Sequence, residues 1–351
     1  MKDKGGRIRK TPGEPQLHPS TPHPSKRLGQ NFLTDQRTIQ RIVEALEPRP
    51  DETIVEIGPG KGALTAPLLE RAGTLVAIEF DQHLIPLLTD KFSAGKNFKL
   101  IQSDALVTNF CEAIRPATQA RIIANLPYNV ATAILQRLIE QRHCLTEMVV
   151  MLQREVVERI TASPGTGERG YLSVFVQAYC ETEKLFDVAP SSFRPAQKVW
   201  SSVIRLRPRP QLAAAVNDEK LLWQVVSAGF AQRRKTILNN LRNAPSPLQE
   251  IVKAHGGASI VLCQAEVDLQ RRAETLTLDE WARNRLPDGD IGGLHCTRIR
   301  RSRVGPGDGA LSQVERRGNR TLLADRAAVR LRGRGESRDP GHRATRGCGE
   351  R

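Results

Sequence analysis

The stretch Thr53-Ile54-Val55-Glu56-Ile57-Gly58-Pro59-Gly60-Lys61-Gly62-Ala63-Leu64-Thr65 decides the fold. Its first five residues are β-branched or apolar around a single acid, which predicts a buried strand over Thr53–Ile57. A glycine-rich turn follows, then a helix through Leu69. Glycines at a strand-to-helix junction let the backbone approach a nucleotide-like ligand closely. The spacing is G-x-G-x-G, not the dinucleotide G-x-G-x-x-G, and Pro59 between two glycines makes a poor pyrophosphate cradle. No Gly-Lys-Ser/Thr phosphate loop is present.

Three further apolar runs repeat the pattern. Thr74 to Ile78 reads as a strand ending at Glu79. An acid about twenty residues beyond such glycines can accept from both ribose hydroxyls of a nucleoside. Phe98 to Gln102 reads as a strand ending at Ser103-Asp104-Ala105, where Asp104 can accept from an adenine amino group. Arg121 to Ala124 delivers Ala124-Asn125-Leu126-Pro127-Tyr128, and a helical run from Thr132 to Ile139 leads away. Strands alternating with helices predict an α/β fold with a parallel sheet, its polar strand ends at one ligand-binding edge. Pro127 fixes its own φ and pushes Leu126 towards an extended conformation. The Asn125 and Leu126 carbonyls, the Asn125 side chain and the Tyr128 ring then suit a planar base with an exocyclic amino group.

The flanking chain is less specific. Asn31-Phe32-Leu33 offers two core anchors around a polar contact, and Asp35 reads as the N-cap of a helix over Gln36–Leu46. Glu147 to Leu152 reads as a strand, and Gln153 to Ala162 as a helix with a solvated charged face. Ser163 to Gly170 reads equally as a lid or a linker. A helix over Tyr171–Cys180 precedes strands over Glu183–Val188 and Val203–Leu206. Between these strands, Phe193 is a candidate aromatic plate, with Arg194 and Lys198 as candidate phosphate contacts. Pro208-Arg209-Pro210 reads as a linker to short helices over 218–286. There Phe230, Ile237, Leu238 and Leu241 make an apolar face that leaves Arg233, Arg234 and Lys235 clustered for phosphate contact.

A formal net charge of +15 points to a polyanionic partner. Residues 288–351 carry fifteen arginines against eight acids, seven of that excess, with no lysine and no aromatic residue. They read as a disordered tail whose composition resembles a GC-rich message translated in a wrong frame. Residues 1–26 read as a disordered basic arm. The six cysteines show no C-x-x-C pair and no His/Cys cluster, so they read as reduced thiols of a cytosolic protein. Neither a metal site nor a membrane span is expected.

These stretches together resemble the ribosomal RNA adenine N6,N6-dimethyltransferases that act on the small subunit. The matching motifs are Leu28-Gly29-Gln30-Asn31-Phe32-Leu33, Glu56-Ile57-Gly58-Pro59-Gly60, Glu79, Ser103-Asp104-Ala105 and Asn125-Leu126-Pro127-Tyr128. They continue with Met151-Leu152-Gln153-Arg154-Glu155-Val156, Phe193-Arg194-Pro195, Lys198-Val199 and Arg233-Arg234-Lys235-Thr236. The resemblance implies a Rossmann-like class I methyltransferase over 27–207, with a seven-stranded, mostly parallel sheet whose last strand is antiparallel. It implies a small all-helical RNA-binding domain over 208–287. It implies transfer from S-adenosylmethionine to two adjacent adenosines near the 3′ end of small-subunit rRNA, by a cytoplasmic monomer whose partner is the small ribosomal subunit. Asn31, Leu33, Gly58, Gly60, Glu79, Asp104, Ala105 and Asn125 would contact the cofactor. Leu126, Pro127, Tyr128 and Phe193 would join Asn125 in framing the target adenine. Two positions depart from the family pattern: Gln197 stands where proline is usual and Trp200 where aspartate is usual. Among rivals, the large-subunit resistance methyltransferases share the cofactor motifs, but the Asn-Leu-Pro-Tyr wording and the Arg-Arg-Lys-Thr run favour the small-subunit enzymes. Intact Glu79, Asp104, Asn125 and Tyr128 argue against the non-catalytic transcription factors built on this fold.

Overall fold

The computed structural model describes residues 31–283. The expected disordered arm and tail, and Leu28-Gly29-Gln30, lie outside the described residues. Strand β1 (Phe32–Leu33) leads into α1 (Gln36–Leu46). Asp35 caps α1: its carboxylate accepts from the Thr38 backbone N–H at 3.0 Å, satisfying one orphan amide of the first turn. Then β2 (Thr53–Ile57), α2 (Thr65–Leu69), β3 (Thr74–Glu79), α3 (Ile85–Phe92), β4 (Phe98–Gln102), α4 (Phe110–Ala113), β5 (Ala120–Asn125) and α5 (Ala131–Glu140) alternate. They are followed by β6 (Leu145–Gln153), α6 (Arg154–Ile160), α7 (Tyr171–Tyr179), β7 (Cys180–Val188), β8 (Phe193–Arg194) and β9 (Ser201–Pro208).

Seven strands form one sheet in the order β4-β3-β2-β5-β6-β9-β7. Strands β4, β3, β2, β5 and β6 are mutually parallel, and β9 runs antiparallel to both β6 and β7. The seven-stranded, mostly parallel sheet expected from the sequence is present, with its last strand inserted before the edge. Alternate strand residues feed two cores. Val55, Ile57, Ile122, Ala124, Met148 and Val150 pack with α4 to α7, while Ile54, Ile123, Val149 and Met151 pack with α1 and α2. A strand buried on both faces must be apolar at every position, which is why these runs are continuous rather than alternating. At the opposite end from the glycine turn, Arg121 pairs with Glu52 at 2.9 Å and with Glu147, while Glu147 also takes Arg205 at 3.2 Å and Arg207 at 3.1 Å.

Helices α8 (Glu219–Gly229), α9 (Ile237–Arg242), α10 (Leu248–Ala254), α11 (Ala258–Gln264) and α12 (Leu278–Arg283) follow β9. They enclose their own core of Val225, Val226, Ile237, Leu241, Leu262 and Trp281, which Val174 of α7 joins. Trp281 is only 1% exposed, and its ring lies 5.7 Å from that of Phe230. Gly229 is obligatory beneath it, since a Cβ there would sit 2.5 Å from Trp281 Cη2.

Three features go beyond the sequence reading, and the last overturns it. Strand β1 pairs antiparallel with β8, Leu33 opposite Phe193, a small sheet no local pattern announced. The 163–170 loop is held down: the Gly165 N–H donates to the Glu274 carbonyl at 2.8 Å. The buried Arg169 donates from Nη1 to the Ala162 carbonyl at 2.7 Å and to Gln177 Oε1 at 2.8 Å. That is a tied linker rather than a free lid. The reduced-thiol expectation also fails. Cys111 and Cys144 are disulfide-bonded with Cα atoms 5.6 Å apart, and Cys263 is disulfide-bonded as well, whereas Cys180 is a buried free thiol. His143 Nε2 lies 3.2 Å from Cys111 Sγ. A separation of 33 residues hides this grouping in the sequence, and the packing of α4 against the turn before β6 creates it.

Truncating Trp281 to Ala leaves a cavity beneath Gly229 and Phe230, so it should cost about 3–5 kcal/mol of stability. Urea unfolding monitored by circular dichroism measures this, and a cost under about 1 kcal/mol would show that the helical core does not depend on the indole.

Candidate active site

Parallel pairing sets the site. Ile57 lies opposite Ile78 and Ala124, and Glu79 opposite Gln102, so four strand ends stop level. The residues just beyond them line one cavity: Asn31, Leu33, Glu56, Gly58, Gly60, Glu79, Phe80, Asp104, Ala105, Asn125, Leu126, Pro127, Tyr128 and Gln197 are all in its wall. Every proposed cofactor contact is therefore brought to one cleft, as are four of the five proposed catalytic residues.

The glycine turn works through backbone geometry. Gly58 and Gly60 adopt φ of +70° and +60°, the left-handed region where side chains are strained. A Cβ on Gly60 would also stand 3.2 Å from the Phe32 ring. The Gly58 N–H is tied to the Ile78 carbonyl at 2.9 Å, and the Gly60 N–H donates to Glu79 Oε2 at 3.1 Å. Glu79 Oε1 accepts from the Asp81 N–H at 2.8 Å. Burial pushes the Glu79 carboxyl above the ordinary carboxylate range, and these two amides oppose the shift. Asp104 Oδ1 accepts from the Leu106 N–H at 2.9 Å, which fixes the carboxylate at the end of β4.

On the other wall, Asn125 closes β5, and the Leu126 N–H donates to the Met151 carbonyl at 3.3 Å. The Pro127 carbonyl accepts from the Val130 N–H at 3.2 Å in the turn into α5. Among the described residues no loop hydrogen bond takes up the Leu126 carbonyl, and Asn125 and Leu126 both line the cleft. The Tyr128 hydroxyl lies 2.6 Å from Ser201 Oγ and donates to Gln197 Oε1, which also accepts from Ser201 Oγ at 2.9 Å. Burial raises the Tyr128 hydroxyl above its ordinary value.

The sequence profile of the ribosomal RNA adenine dimethylases matches residues 23–284. The chain belongs to the ribosomal RNA adenine dimethylase family. It is 42% identical over 258 residues to the ribosomal RNA small subunit methyltransferase A of Hahella chejuensis, covering 74% of this chain and 90% of that protein. The namesake from Xanthomonas campestris pv. campestris is 46% identical over 222 residues, covering 63% of this chain and 84% of its own. A dimethyladenosine transferase from Plasmodium falciparum shares the fold with a TM-score of 0.61 at 21% identity, over 72% of this chain and 95% of that one. The 23S rRNA methyltransferase ErmE aligns with a TM-score of 0.55 at 26% identity, over 72% and 98% of the two chains.

Within this dimethylase the remaining candidates separate. Phe193 is not brought to the cleft. Its ring is fully buried against Leu33, Ile39 and Val203, because the pairing of β8 with β1 turns it into the core. Arg194 and Lys198 are exposed, and Arg194 Nη1 donates to the Ser191 and Phe193 carbonyls at 3.1 and 3.0 Å. Arg233, Arg234 and Lys235 are exposed on the turn before α9 rather than on a helix, and Arg233 donates to the Gly167 carbonyl. Their apolar companions Ile237, Leu238 and Leu241 are buried, as the spacing required.

Sequence reasoning gave no site role to Glu56, Phe80 or Gln197. Phe80 is 60% exposed at the cleft rim, an exposure a strand-end position cannot reveal. Gln197 stands out in the sequence only as a departure from proline, yet it accepts from the Tyr128 hydroxyl. Glu56 left a signal, a carboxylate between Val55 and Ile57 in an otherwise apolar strand. Its side chain is wholly buried, accepts from Thr65 Oγ1 at 2.7 Å, and desolvation pushes it up to about 8.

Glu56 makes stability depend on pH. The unfolded chain releases this proton near the ordinary 4.5, the folded protein only near 8. Across that window the folded state binds more protons, so this group's contribution to stability falls as pH rises. Glu56→Gln removes the titration, so the Tm of the variant minus that of the wild type should rise from about pH 5 to about pH 8. Thermal scans at stepped pH check this, and a difference independent of pH would refute a protonated Glu56.

Proposed function

We propose that this dimethylase transfers methyl groups from S-adenosylmethionine to N6 of two adjacent adenosines near the 3′ end of small-subunit rRNA, as a cytoplasmic monomer acting on the small ribosomal subunit. One observation supports the reading: Gly58, Gly60, Glu79 and Asp104 line the same cleft as Asn125, Leu126 and Tyr128. The pocket residues fit the donor. Glu79 offers carboxylate acceptors for ribose hydroxyls, and Asp104 and Ala105 lie where an adenine would meet the end of β4. Asn31 and Leu33 line the same cleft as the glycine turn, where the absence of side chains at Gly58 and Gly60 leaves room. S-adenosylmethionine, when bound, supplies an electrophilic methyl group.

The chain's own residues supply orientation. Adenine N6 is a poor nucleophile because its lone pair is delocalised into the ring. The Asn125 side-chain oxygen and the Leu126 carbonyl accept the two amino hydrogens and draw N6 towards tetrahedral geometry, turning its lone pair into the cleft. With the reacting atoms so held, transfer needs mainly proximity. Pro127 holds the turn rigid. The Tyr128 face stacks on the base and faces the positive charge that develops on N6. With Phe193 buried, Tyr128 is the stacking partner, and Phe193 supports the loop that carries Gln197. Arg194, Lys198, Arg233, Arg234 and Lys235 contact rRNA phosphates, the last three from the helical part of the chain. The small subunit is favoured over the large because relatives named as small-subunit enzymes match at 42% and 46% identity, against 26% for the 23S enzyme.

The test is methyl transfer from labelled cofactor to undermethylated small subunits, with the modified nucleosides mapped. Label in N6,N6-dimethyladenosine at two adjacent positions is expected, and label elsewhere would overturn the assignment. In single-turnover form, Asn125→Ala should slow the step about 100-fold or more, since its acceptor acts only in the reacting complex. Tyr128→Phe keeps the ring and unties only Gln197 and Ser201, so it should lose less than about 10-fold. Equal losses would make the hydroxyl part of the chemistry.

Replacing Arg234 and Lys235 by Ala should lower the slope of log affinity against log salt by about 1.5 to 2, the release of two counterions. Filter binding to small subunits across a salt series measures it. Weaker binding at an unchanged slope would mean that these side chains shape the turn and touch no phosphate.

A further inference from the structure

Trp200, next in the chain to the Ser201 that contacts Tyr128, is an exposed aromatic with no role so far. Trp200 is 46% exposed and Val199 42%, unusual in a chain whose other large aromatics, Phe80 apart, are covered. Trp200 stands one residue before β9, whose first residue, Ser201, pairs with Gln153 at the end of β6. Two residues back along β6, Met151 pairs with Asn125. The indole therefore belongs to the same carboxyl edge of the sheet as the target-orienting acceptors. Its neighbour Ser201 reaches the Tyr128 hydroxyl at 2.6 Å.

The backbone here is fixed. The Arg154 N–H donates to the Trp200 carbonyl at 3.0 Å, and Ser201 is fully buried. The Arg154 guanidinium carbon lies 6.0 Å from the indole centroid, with its Nε 3.4 Å from Glu158. Nearby, Asp187 is occupied by Lys184 at 2.7 Å and by Ser202. Glu158 and Asp187 are thus each paired with a cation, while Lys198 and Arg194 add exposed positive charge beyond the exposed Glu155. An open indole face, a cation beside it and further cations along the loop suit an unpaired nucleotide: the base stacks and the phosphate meets the charges. A protein partner would need a continuous apolar patch, and two exposed apolar residues ringed by charge do not make one.

We propose that Trp200 and Arg154 form a second base-binding platform, which stacks an unpaired RNA nucleotide flanking the adenosine held by Asn125 and Tyr128. It rests on the RNA-methylation reading above. Trp200 is then a positioning residue: it holds the RNA strand at the mouth of the cleft and touches neither the methyl donor nor N6.

The test compares wild type, Trp200→Ala and Trp200→Phe on undermethylated small subunits. Trp200→Ala should raise the half-saturating subunit concentration about 5- to 100-fold, the effect that removing a base–aromatic stack gives. The single-turnover rate at saturation and the calorimetric affinity for S-adenosylmethionine should stay unchanged, and Trp200→Phe should restore most of the loss. A second readout needs no turnover. Tryptophan fluorescence of the wild type should be quenched by a hairpin RNA with two adjacent loop adenosines, less so when the flanking nucleotide is abasic, and not in Trp200→Phe. Half-saturation unaltered in Trp200→Ala, or quenching indifferent to the abasic site, would overturn the platform. If wild type quenched with the hairpin but methylated no adenosine, the activity assignment would fail while the platform stood.

Discussion

Parallel pairing of β2 with β5 is the constraint on which the rest depends. With Ile57 opposite Ala124, the glycine turn and the Asn125 turn leave the sheet side by side, and a Cβ on Gly58 would sit 3.9 Å from the Asn125 carbonyl. Both turns line the same cleft. A slip of one residue would exchange the faces of a strand. It would carry Val55 and Ile57 out of one core and Ile54 out of the other, so burial on both faces locks the register that builds the cleft.

Two carboxyl groups share this end of the sheet in different states. Glu56 has one hydroxyl partner and is wholly buried, which pushes it up to about 8, so it keeps its proton at neutral pH. Glu79 accepts from two backbone amides, which offset part of its desolvation and leave it the better acceptor. The charge of Glu79 adds to the upward push that burial gives Glu56.

The loop from Pro190 to Ser202 divides its aromatics between core and solvent. Pairing with β1 buries Phe193, while Trp200, just outside β9, stays exposed. Between them Gln197 holds the Tyr128 hydroxyl, so the loop braces the Tyr128 ring. The basic turn before α9 is braced similarly, with Arg233 spent on the Gly167 carbonyl and its two neighbours left outward.

Much of this was legible in the residues themselves. Continuous apolar runs ending in Gly58, Glu79 and Asn125 determine a parallel sheet with polar ends, because only strands covered on both faces read that way, while the run before Asp104 is the half-exposed edge. The Asp35 cap and the Ile237–Leu241 face were equally local, fixed by bonds and spacings within one turn or two. What lies far apart in sequence was decided by tertiary packing alone. Phe193 looked like a site residue until its pairing with Leu33 turned it inward. Cys111 met Cys144 only because α4 packs on the turn before β6. Gln197 became a partner of Tyr128, 69 residues away, through the placement of β9 beside β6. A sequence records which side chains a segment can bury or cap. Which distant segment provides the partner depends on the register and order of strands, and those are settled only when the whole sheet closes.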